Sequence, residues 1–133
     1  MKTKKQTKKQ VAKKIKSLCR KVWKVFSEFV RRRDESAGCF CCGVKKHWKD
    51  MNASHLFHNK LDFSPHNINS CCRKCNTFLH GNLGAYTEKF IEKYGWDVYQ
   101  ELKKKSHEAW APDITELERL LEHWTQELKK LRG

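Results

Sequence analysis

Six of the seven cysteines lie in two short clusters. Cys39-Phe-Cys-Cys42 and Cys72-Arg-Lys-Cys75 each place two thiols at C-x-x-C spacing, and 29 residues separate the two pairs. A tight turn with this spacing presents both sulfurs to one ion, so two such turns supply the four ligands of a closed tetrahedral zinc site. Gly43 follows the first pair and suits a turn that needs a positive φ. The spacing therefore predicts a structural Zn²⁺ held by Cys39, Cys42, Cys72 and Cys75.

A redox-active C-x-x-C motif is the competing interpretation of these cysteines. Such a motif occurs singly at the start of a helix beside a βαβ pattern, which is absent from this sequence. Cys41 and Cys71 make the register ambiguous, and the strict spacing favours treating both as non-ligands. Cys19 has no second cysteine nearby and lies within a helical pattern, so it is predicted to be a small core residue.

A second set of potential metal ligands lies between and just after the cysteine pairs: Asn52, His55, His58, His66, Asn67, Asn76 and His80. If Cys75 begins a helix, Asn76 and His80 share one face of it, and Gly81 ends it in the left-handed conformation. An amide oxygen and an imidazole on that face, beside a histidine from a strand, can hold one divalent ion and one activated water. Phosphodiester hydrolysis requires such an arrangement. Because any one of these histidines is more often a surface or hydrogen-bonded residue, the spacing alone leaves both interpretations open.

Positive charge is concentrated at the N-terminal end of the chain. Residues 1–33 contain 14 Lys and Arg against one acidic residue, whereas residues 34–133 are nearly balanced; the whole chain carries +14. A solubility tail or a solvated helix face would also be basic, but so strong a surplus needs counter-charge and favours binding to nucleic acid phosphates. The predicted DNA-binding residues are Lys13, Lys14, Lys16, Arg20, Lys24, Arg31, Arg32 and Arg33.

The pattern along the chain predicts one domain after a short tail. Residues 1–10 are expected to be a disordered basic tail, and residues 11–33 an amphipathic helix with apolar residues at three- and four-residue steps. Residues 38–82 form the zinc and catalytic core, with a short strand around residues 53–57. Residues 83–133 are helical: a helix or broken pair interrupted at Gly95, then a helix capped by Asp113 and Glu116. That last helix is expected to pack on the domain rather than on a partner.

Composition excludes several classes of protein. No apolar run reaches the roughly 18–20 residues of a membrane-spanning helix, and the Lys-rich start lacks the apolar segment of a secretory signal. Seven cysteines do not pair evenly, which argues against a disulfide scaffold. The expectation is a cytoplasmic protein, with no membrane contact, that has a metal site and a polyanionic partner.

The order of motifs resembles that of HNH (ββα-metal) nucleases and, more narrowly, the phage recombination NinG/Rap family. The matching residues are Cys39-x-x-Cys42-Gly43, Asn52-Ala53-Ser54-His55, Asn67-Ile68, Cys72-x-x-Cys75-Asn76, Gly81-Asn82-Leu83 and Tyr86. The similarity extends from about residue 11 to about Leu102. One departure is Asn52, because the related motif often reads Asp-Ala-Gly-His; a carboxylate that could bind metal is therefore missing.

The resemblance implies an α+β fold in which two antiparallel strands and a helix surround a catalytic metal, pinned by the zinc site. It implies that His55 is the general base and that Asn67 orients the loop. Asn76 and His80 would then hold the catalytic ion, Mg²⁺ or Mn²⁺. Similar proteins act on branched DNA, including four-way junctions, which a homodimer would suit because two symmetric cuts match a two-fold axis.

The sequence thus favours a metal-dependent DNA endonuclease, a hydrolase acting on ester bonds, in the phage or bacterial host cytoplasm. The second hypothesis is a non-catalytic, zinc-stabilised DNA-binding recombination factor, which the missing acid at Asn52 would favour. A third, a protein-interaction module using the C-terminal helix, explains least because it needs neither the histidines nor the basic segment.

Overall fold

The protein is described by a computed structural model that covers residues 5–58 and 63–133. Its elements in chain order are α1 (Lys8–Arg33), β1 (Met51–His55), β2 (Ile68–Cys72), α2 (Leu83–Tyr94), α3 (Trp96–Ser106) and α4 (Ile114–Arg132). A 3₁₀ turn, Trp48–Asp50, precedes β1, and a single π-helical turn, Lys74–Phe78, follows β2. Helices with one small sheet confirm the predicted α+β class. None of the helices in the described ranges is long and apolar enough to cross a membrane.

The basic helix α1 begins at Lys8, three residues before the predicted start at residue 11. Thr7 and Gln10 form a capping box: the Gln10 amide donates to the Thr7 hydroxyl at 3.1 Å, and the Thr7 amide donates to the Gln10 side chain at 2.8 Å. This reciprocal pair satisfies two backbone donors that would otherwise lack partners at the helix start. The predicted disordered tail is therefore wrong for residues 8–10, while residues 1–4 of that tail lie outside the described residues.

Helices α1 and α4 pack against each other, as predicted for the C-terminal helix. The buried positions of α1 recur every four residues, which places them on one face: Leu18, Val22, Phe26 and Val30. Leu117 and Trp124 of α4 are buried in the same apolar cluster, and the Phe26 and Trp124 rings lie 4.6 Å apart. The Asp113 side chain accepts a hydrogen bond from the Glu116 amide at 2.7 Å, so the predicted cap of α4 is present.

The sheet is one antiparallel pair in which Met51 lies opposite Cys72 and His55 opposite Ile68. The first strand ends at His55 instead of continuing to residue 57 as predicted. The reason is the Asn67 side chain, which accepts from the Phe57 amide at 2.8 Å and donates to the Phe57 carbonyl at 2.6 Å. One further backbone bond follows His55, from the Leu56 amide to the Asn67 carbonyl at 3.0 Å, and the pairing then stops because the Asn67 side chain takes both backbone groups of Phe57.

The helix expected to begin at Cys75 is replaced by the single turn Lys74–Phe78. His80, Gly81 and Asn82 follow with φ of 50°, 85° and 47°, and three successive left-handed residues cannot continue a right-handed helix. The prediction that Asn76 and His80 share one helix face is therefore wrong. The break predicted at Gly95 is confirmed, since α2 ends at Tyr94 and α3 begins at Trp96.

Candidate functional site

The four predicted zinc ligands come together in the folded chain. The sulfurs of Cys39, Cys42, Cys72 and Cys75 all lie within 4.8 Å of one another, and all but Cys42 are buried. Four thiolates at such separations fit a tetrahedral zinc with Zn–S bonds of about 2.3 Å. The Cys42 and Cys72 sulfurs, one from each pair, are 3.7 Å apart. Among the described residues, this is the one group of three or more Cys, His, Asp or Glu close enough to hold a metal.

A tight backbone turn aims the first two sulfurs. The Gly43 amide donates to the Cys39 carbonyl at 2.8 Å, and the Cys39 amide donates to the Val44 carbonyl at 2.9 Å. Gly43 has φ +80°, as the sequence predicted. Gly38 closes the turn with φ +84°, and a Cβ there would lie 2.8 Å from the Gly43 carbonyl oxygen. Any larger residue at Gly38 would therefore displace the turn that carries Cys39 and Cys42.

Cys41 and Cys71 lie beside the four sulfurs but outside the set. Their own sulfurs are 3.8 Å apart, and both are buried. Hydrogen bonds from Cys41 and Cys71 lower the pKa of the Cys39 thiol. The hydrogen bond to Cys39 raises the pKa of Cys41 to about 12, and hydrogen bonds to Cys39 and Cys41 raise that of Cys71. Cys41 and Cys71 are therefore neighbours of the four-cysteine group, and neither belongs to it.

His55 ends β1 with its ring held in a stack. The indole of Trp23 on α1 covers one side, with ring centroids 4.9 Å apart and an interplanar angle of 17°. The ring of His58 stacks at 5.1 Å and 21°. Stacked contacts of this kind fix the plane of the imidazole. The sequence did not predict the Trp23 contact, because it depends on how α1 packs across the sheet.

A cavity of about 250 Å³ lies beside His55 and brings this predicted base together with the two predicted ligands of the catalytic ion, Asn76 and His80, but not with Asn67. Its described lining is Ser54, His55, Leu56, His58, Asn76, His80, Gly81 and Leu83. Asn76 and His80 therefore reach the same space as His55 although they do not share a helix face. None of the described lining residues carries a carboxylate, so the side-chain donors in this lining are the imidazole nitrogens, the Asn76 amide and the Ser54 hydroxyl.

Asn67 lies outside this cavity and holds the backbone next to it. It is fully buried, and its side chain makes both hydrogen bonds to the Phe57 backbone described above. Its carbonyl accepts a further bond from the Leu56 amide at 3.0 Å. Asn67 thus fixes the chain directly after His55, which is the geometry of an orienting residue rather than of a group that contacts substrate.

A buried polar network joins α2 to both strands. The Tyr86 hydroxyl lies 2.8 Å from the Ser54 carbonyl oxygen and 3.2 Å from the Asn67 carbonyl oxygen. It also accepts a hydrogen bond from the side-chain amide of Asn69 at 2.9 Å. Burial raises the pKa of Tyr86 well above its usual value, so it remains a neutral donor. Tyr86 was part of the sequence motif, but its role in fixing the residue before His55 emerges only from the structure.

The predicted DNA-binding residues divide into two groups. Five of them are exposed on α1: Lys13, Lys14, Lys16, Arg20 and Lys24. Lys14 lies 4.0 Å from Glu118 of α4 across an exposed pair, which is worth little energetically. These side chains leave a row of positive charge on the outer surface of the helix.

Arg31, Arg32 and Arg33 at the end of α1 turn toward the protein instead. The Arg31 and Arg32 guanidinium groups lie 5.1 and 4.3 Å from the Trp48 ring centroid. Arg33 pairs with Asp34 at 2.7 Å and donates to the carbonyls of Pro65 and Ile68 at 2.9 and 3.0 Å. Burial alone lowers the pKa of Arg33, but the hydrogen bond and charge of Asp34 raise it overall. Arg33 therefore ties α1 to β2.

A further basic surface was not predicted from the sequence. Lys46, Lys49 and Arg73 line a cavity of about 500 Å³ together with Asp50, Met51 and Asn52. Asn52, the departure from the related motif, thus opens onto this cavity and is not among the residues lining the His55 cavity. These cations come from three separate chain positions near the zinc cluster, so no charge run in the sequence indicated them.

The whole chain, residues 1–133, matches one protein family, described as the bacteriophage lambda NinG protein. No curated protein matches the chain, and no solved structure matches it. The match includes both cysteine pairs, the Asn52–His55 segment and the Cys72–Leu83 segment on which the resemblance rested. The chain belongs to the family of the bacteriophage lambda NinG protein.

Proposed function

We propose that this protein is a metal-dependent endonuclease that hydrolyses DNA phosphodiester bonds. The observation that carries the proposal is the cavity of about 250 Å³ in which His55, His58, Asn76 and His80 meet. It holds a histidine at the end of a strand and further nitrogen and oxygen donors around a space open to a phosphate. The exposed basic residues of α1 supply an electrostatic surface for the same polyanion.

His55 is the proposed general base. Imidazole changes its protonation state near neutral pH and is the side chain most often used to accept a proton from water. The stack between Trp23 and His58 holds the ring plane, and Asn67 holds the backbone that follows. A base fixed in this way needs no reorientation before it accepts the proton from the attacking water, which lowers the entropic cost of reaction.

Asn76 and His80 are the proposed holders of the catalytic ion. The ion, when bound, polarises the phosphate and stabilises the leaving oxygen. With imidazole donors and no carboxylate in the described lining, the set fits Mn²⁺ better than Mg²⁺, which prefers an all-oxygen shell. Phosphate oxygens and water would supply the remaining ligands. The structural zinc is a separate requirement, since it holds the backbone before Asn76.

The proposed substrate is DNA, either duplex or branched. Exposed cations on α1 and the cations Lys46, Lys49 and Arg73 lie on different elements, and both sets offer positive charge to the phosphates of one DNA molecule. The family resemblance implies a role in phage recombination and activity on branched forms such as four-way junctions. Two copies of the chain would then act on the two sides of one junction.

A non-catalytic, zinc-stabilised DNA-binding recombination factor is the second candidate. The specific observation in its favour is the absence of an acidic residue from the described lining of the His55 cavity. Such a lining binds Mg²⁺ weakly, because this ion is usually held by one or two carboxylates. In this case the basic surfaces would act alone, and the histidines would be structural.

One experiment separates the two functions. Zinc-loaded protein is incubated with matched linear, nicked, flapped and four-way DNA, in Mg²⁺, in Mn²⁺ or without added divalent metal. We expect cleavage that depends on the added metal and begins at lower Mn²⁺ than Mg²⁺ concentrations. Electrophoretic binding is measured on the same DNAs without added metal. Binding to DNA without cleavage of any form would reject the nuclease and leave the recombination factor.

A further inference from the structure

We propose that an aromatic pocket next to His55 accepts an unpaired nucleobase of the bound DNA. The pocket is a cavity of about 490 Å³ lined by Cys19, Arg20, Trp23, His55, Phe63 and Trp110. It shares His55 with the proposed catalytic cavity and contains no other residue of that cavity. The inference rests on the proposed function in one respect, which is that a phosphodiester of the bound DNA lies at His55.

The lining of this pocket has the chemistry of a base-stacking site. Trp23, Phe63 and Trp110 all line this cavity and are all half-buried. Phe63 and Trp110 hold each other edge to face, with centroids 5.7 Å apart and an angle of 75°. Proteins that bind single strands stack successive bases on aromatic rings of this kind. An open apolar cavity on so basic a surface indicates a ligand that combines an apolar face with negative charge.

The position of Arg20 connects this pocket to the DNA backbone. Arg20 is exposed on α1 and lines the pocket, and Lys16 and Lys24 lie one turn away on either side. A phosphate on this row of cations would place its sugar and base over Trp23 and Trp110. The ring of His55 forms part of the same wall. One nucleotide can therefore present its base to the pocket while an adjacent phosphodiester faces the catalytic cavity.

Trp110 is a large aromatic residue that is not part of the buried core of the described chain. It lies in the segment between α3 and α4, and it contributes to neither of the two buried apolar clusters of the described chain. Trp23 and Phe63, in contrast, also pack against the α1–α4 cluster. Trp110 lines the pocket in edge-to-face contact with Phe63, and Trp23 lines the same pocket, so a planar ligand can pack against these rings.

An unpaired base is the occupant that this geometry favours. In matched duplex DNA each base is stacked and paired, and extruding one costs a few kcal/mol. At a bulge, a flap or a branch point that cost falls, because the base is already free. The pocket would therefore make the protein prefer interrupted DNA over matched duplex without reading any base edge, and the preference would be nearly independent of sequence.

The test compares binding of two DNAs that differ by one base. One duplex carries a single-nucleotide bulge, and the other has an abasic residue at the bulged position. Equilibrium binding is measured by fluorescence anisotropy with zinc-loaded protein and no added divalent metal. Stacking on aromatic residues predicts that the wild-type protein binds the bulged base about 5- to 150-fold more tightly than the abasic bulge. Matched duplex should bind like the abasic bulge or more weakly.

Three tryptophan variants complete the test. Trp110→Ala, which changes a residue outside both buried clusters and removes one ring contact with Phe63, should abolish the preference for the base while binding the abasic bulge like wild type, with circular dichroism to confirm the fold. Trp23→Ala should do the same, with circular dichroism to confirm that α1 is intact. Trp96→Ala is the matched control, since Trp96 is exposed at the start of α3, and it should keep the preference. A preference that survives Trp110→Ala, or that wild type lacks, would overturn the proposal.

Cleavage of the same DNAs in Mn²⁺ keeps the two proposals distinguishable. Protein that prefers the bulged base but cuts nothing retains the base pocket and loses the nuclease. Protein that cuts DNA but binds the two bulges equally retains the nuclease and loses the pocket. If the protein neither prefers the bulged base nor cuts DNA, both the base pocket and the nuclease are rejected.

Discussion

The imidazole of His55 stacks on the indole of Trp23 with 4.9 Å between ring centroids. One ring belongs to the last residue of β1 and the other to the basic helix α1, so this contact joins the candidate base to the described element that carries more exposed Lys and Arg than any other. A strand of DNA bound, as we propose, by Lys16, Arg20 and Lys24 would therefore lie along the helix that carries the ring stacked on His55. The stack of Trp23 on His55 is thus a direct contact between the proposed DNA-binding helix and the proposed general base.

The zinc cluster gives the first prediction. Purified protein should contain one tightly bound Zn²⁺ per chain, and Cys72→Ser should release it and unfold the central segment, because a closed four-cysteine site then lacks one of its ligands. Structural zinc contributes roughly 10–16 kcal/mol of apparent binding free energy. Elemental analysis and far-UV circular dichroism measure the two effects. Cys19→Ser is the control and should keep its zinc; a folded, zinc-free wild type would contradict the assignment.

The exposed cations of α1 give the second prediction. Lys16→Gln and Lys24→Gln should each lower DNA affinity and reduce the slope of log affinity against log salt by about 0.9 per lost phosphate contact. Stability should change little, since both side chains are exposed. Lys103→Gln on α3 carries the same change of charge and should leave the slope unaltered. Equal effects of all three substitutions would show that only net charge matters.

Arg33 is predicted to act on stability instead. Arg33→Gln removes the guanidinium that donates to Asp34 and to the Pro65 and Ile68 carbonyls. Asp34 keeps its bond from the Ser70 amide and Pro65 is exposed, so the main loss is at buried Ile68, where an unpartnered group costs about 1–3 kcal/mol. Urea denaturation should show the lower free energy of unfolding, while the salt dependence of DNA binding stays the same. Arg119→Gln on the exposed side of α4 should be within about 0.5 kcal/mol of wild type. A reduced salt slope for Arg33→Gln would restore it to the DNA-binding surface.

Some features of the fold and of the candidate site could be predicted from the sequence alone. The zinc set, the α1 and α4 helices, the break at Gly95 and the Asp113 cap all rest on local spacing, which a single chain displays directly. Fixed spacings determine which side chains share a turn or a helix face. Predictions of this kind held except where a cap or a turn moved a boundary, as at Lys8 and after Phe78.

The features that could not be predicted from the sequence depend on contacts between elements that are distant along the chain. Whether an arginine faces solvent or a carbonyl is decided by packing, so Arg33 was grouped with Lys16 although it binds β2. The stack of Trp23 on His55 and the cavity of Lys46, Lys49 and Arg73 have the same origin. His80 was assigned to a helix because four-residue spacing permits it, but the left-handed conformation at His80 itself ends that possibility.

The catalytic ion gives the fourth prediction. Asn76→Ala and His80→Ala should each raise the Mn²⁺ concentration needed for half-maximal cleavage, because each removes one donor from the cavity. Raising the Mn²⁺ concentration should partly restore the rate. Wild type should need less Mn²⁺ than Mg²⁺, since imidazole suits a transition metal better. The measurement is the cleavage rate as a function of metal concentration for wild type, Asn76→Ala and His80→Ala. Rates that no concentration of metal restores would move these residues from metal binding to structure.

His55 gives the last prediction. His55→Ala should abolish Mg²⁺- or Mn²⁺-dependent cleavage, because a general base contributes about 10²–10⁴-fold to the rate. DNA binding and zinc content should remain near wild type, since the base acts in the transition state and its loss appears in kcat rather than in affinity. Added metal should not rescue the variant, which distinguishes it from Asn76→Ala and His80→Ala. Single-turnover cleavage measures the rate, and electrophoretic mobility measures binding.

His107→Ala provides the matched control for His55→Ala. His107 is exposed at the end of α3 and lines neither cavity that contains His55, so its loss should leave the cleavage rate unchanged. Trp23→Phe adds a second comparison, because a smaller ring still covers His55 and should lower the rate less than His55→Ala does. If His55→Ala cuts DNA like wild type, the proton is accepted elsewhere and the assigned base is wrong. If it loses DNA binding as well, the stack with Trp23 is needed for the fold of the site, and the kinetic assignment must then be made with His55→Gln.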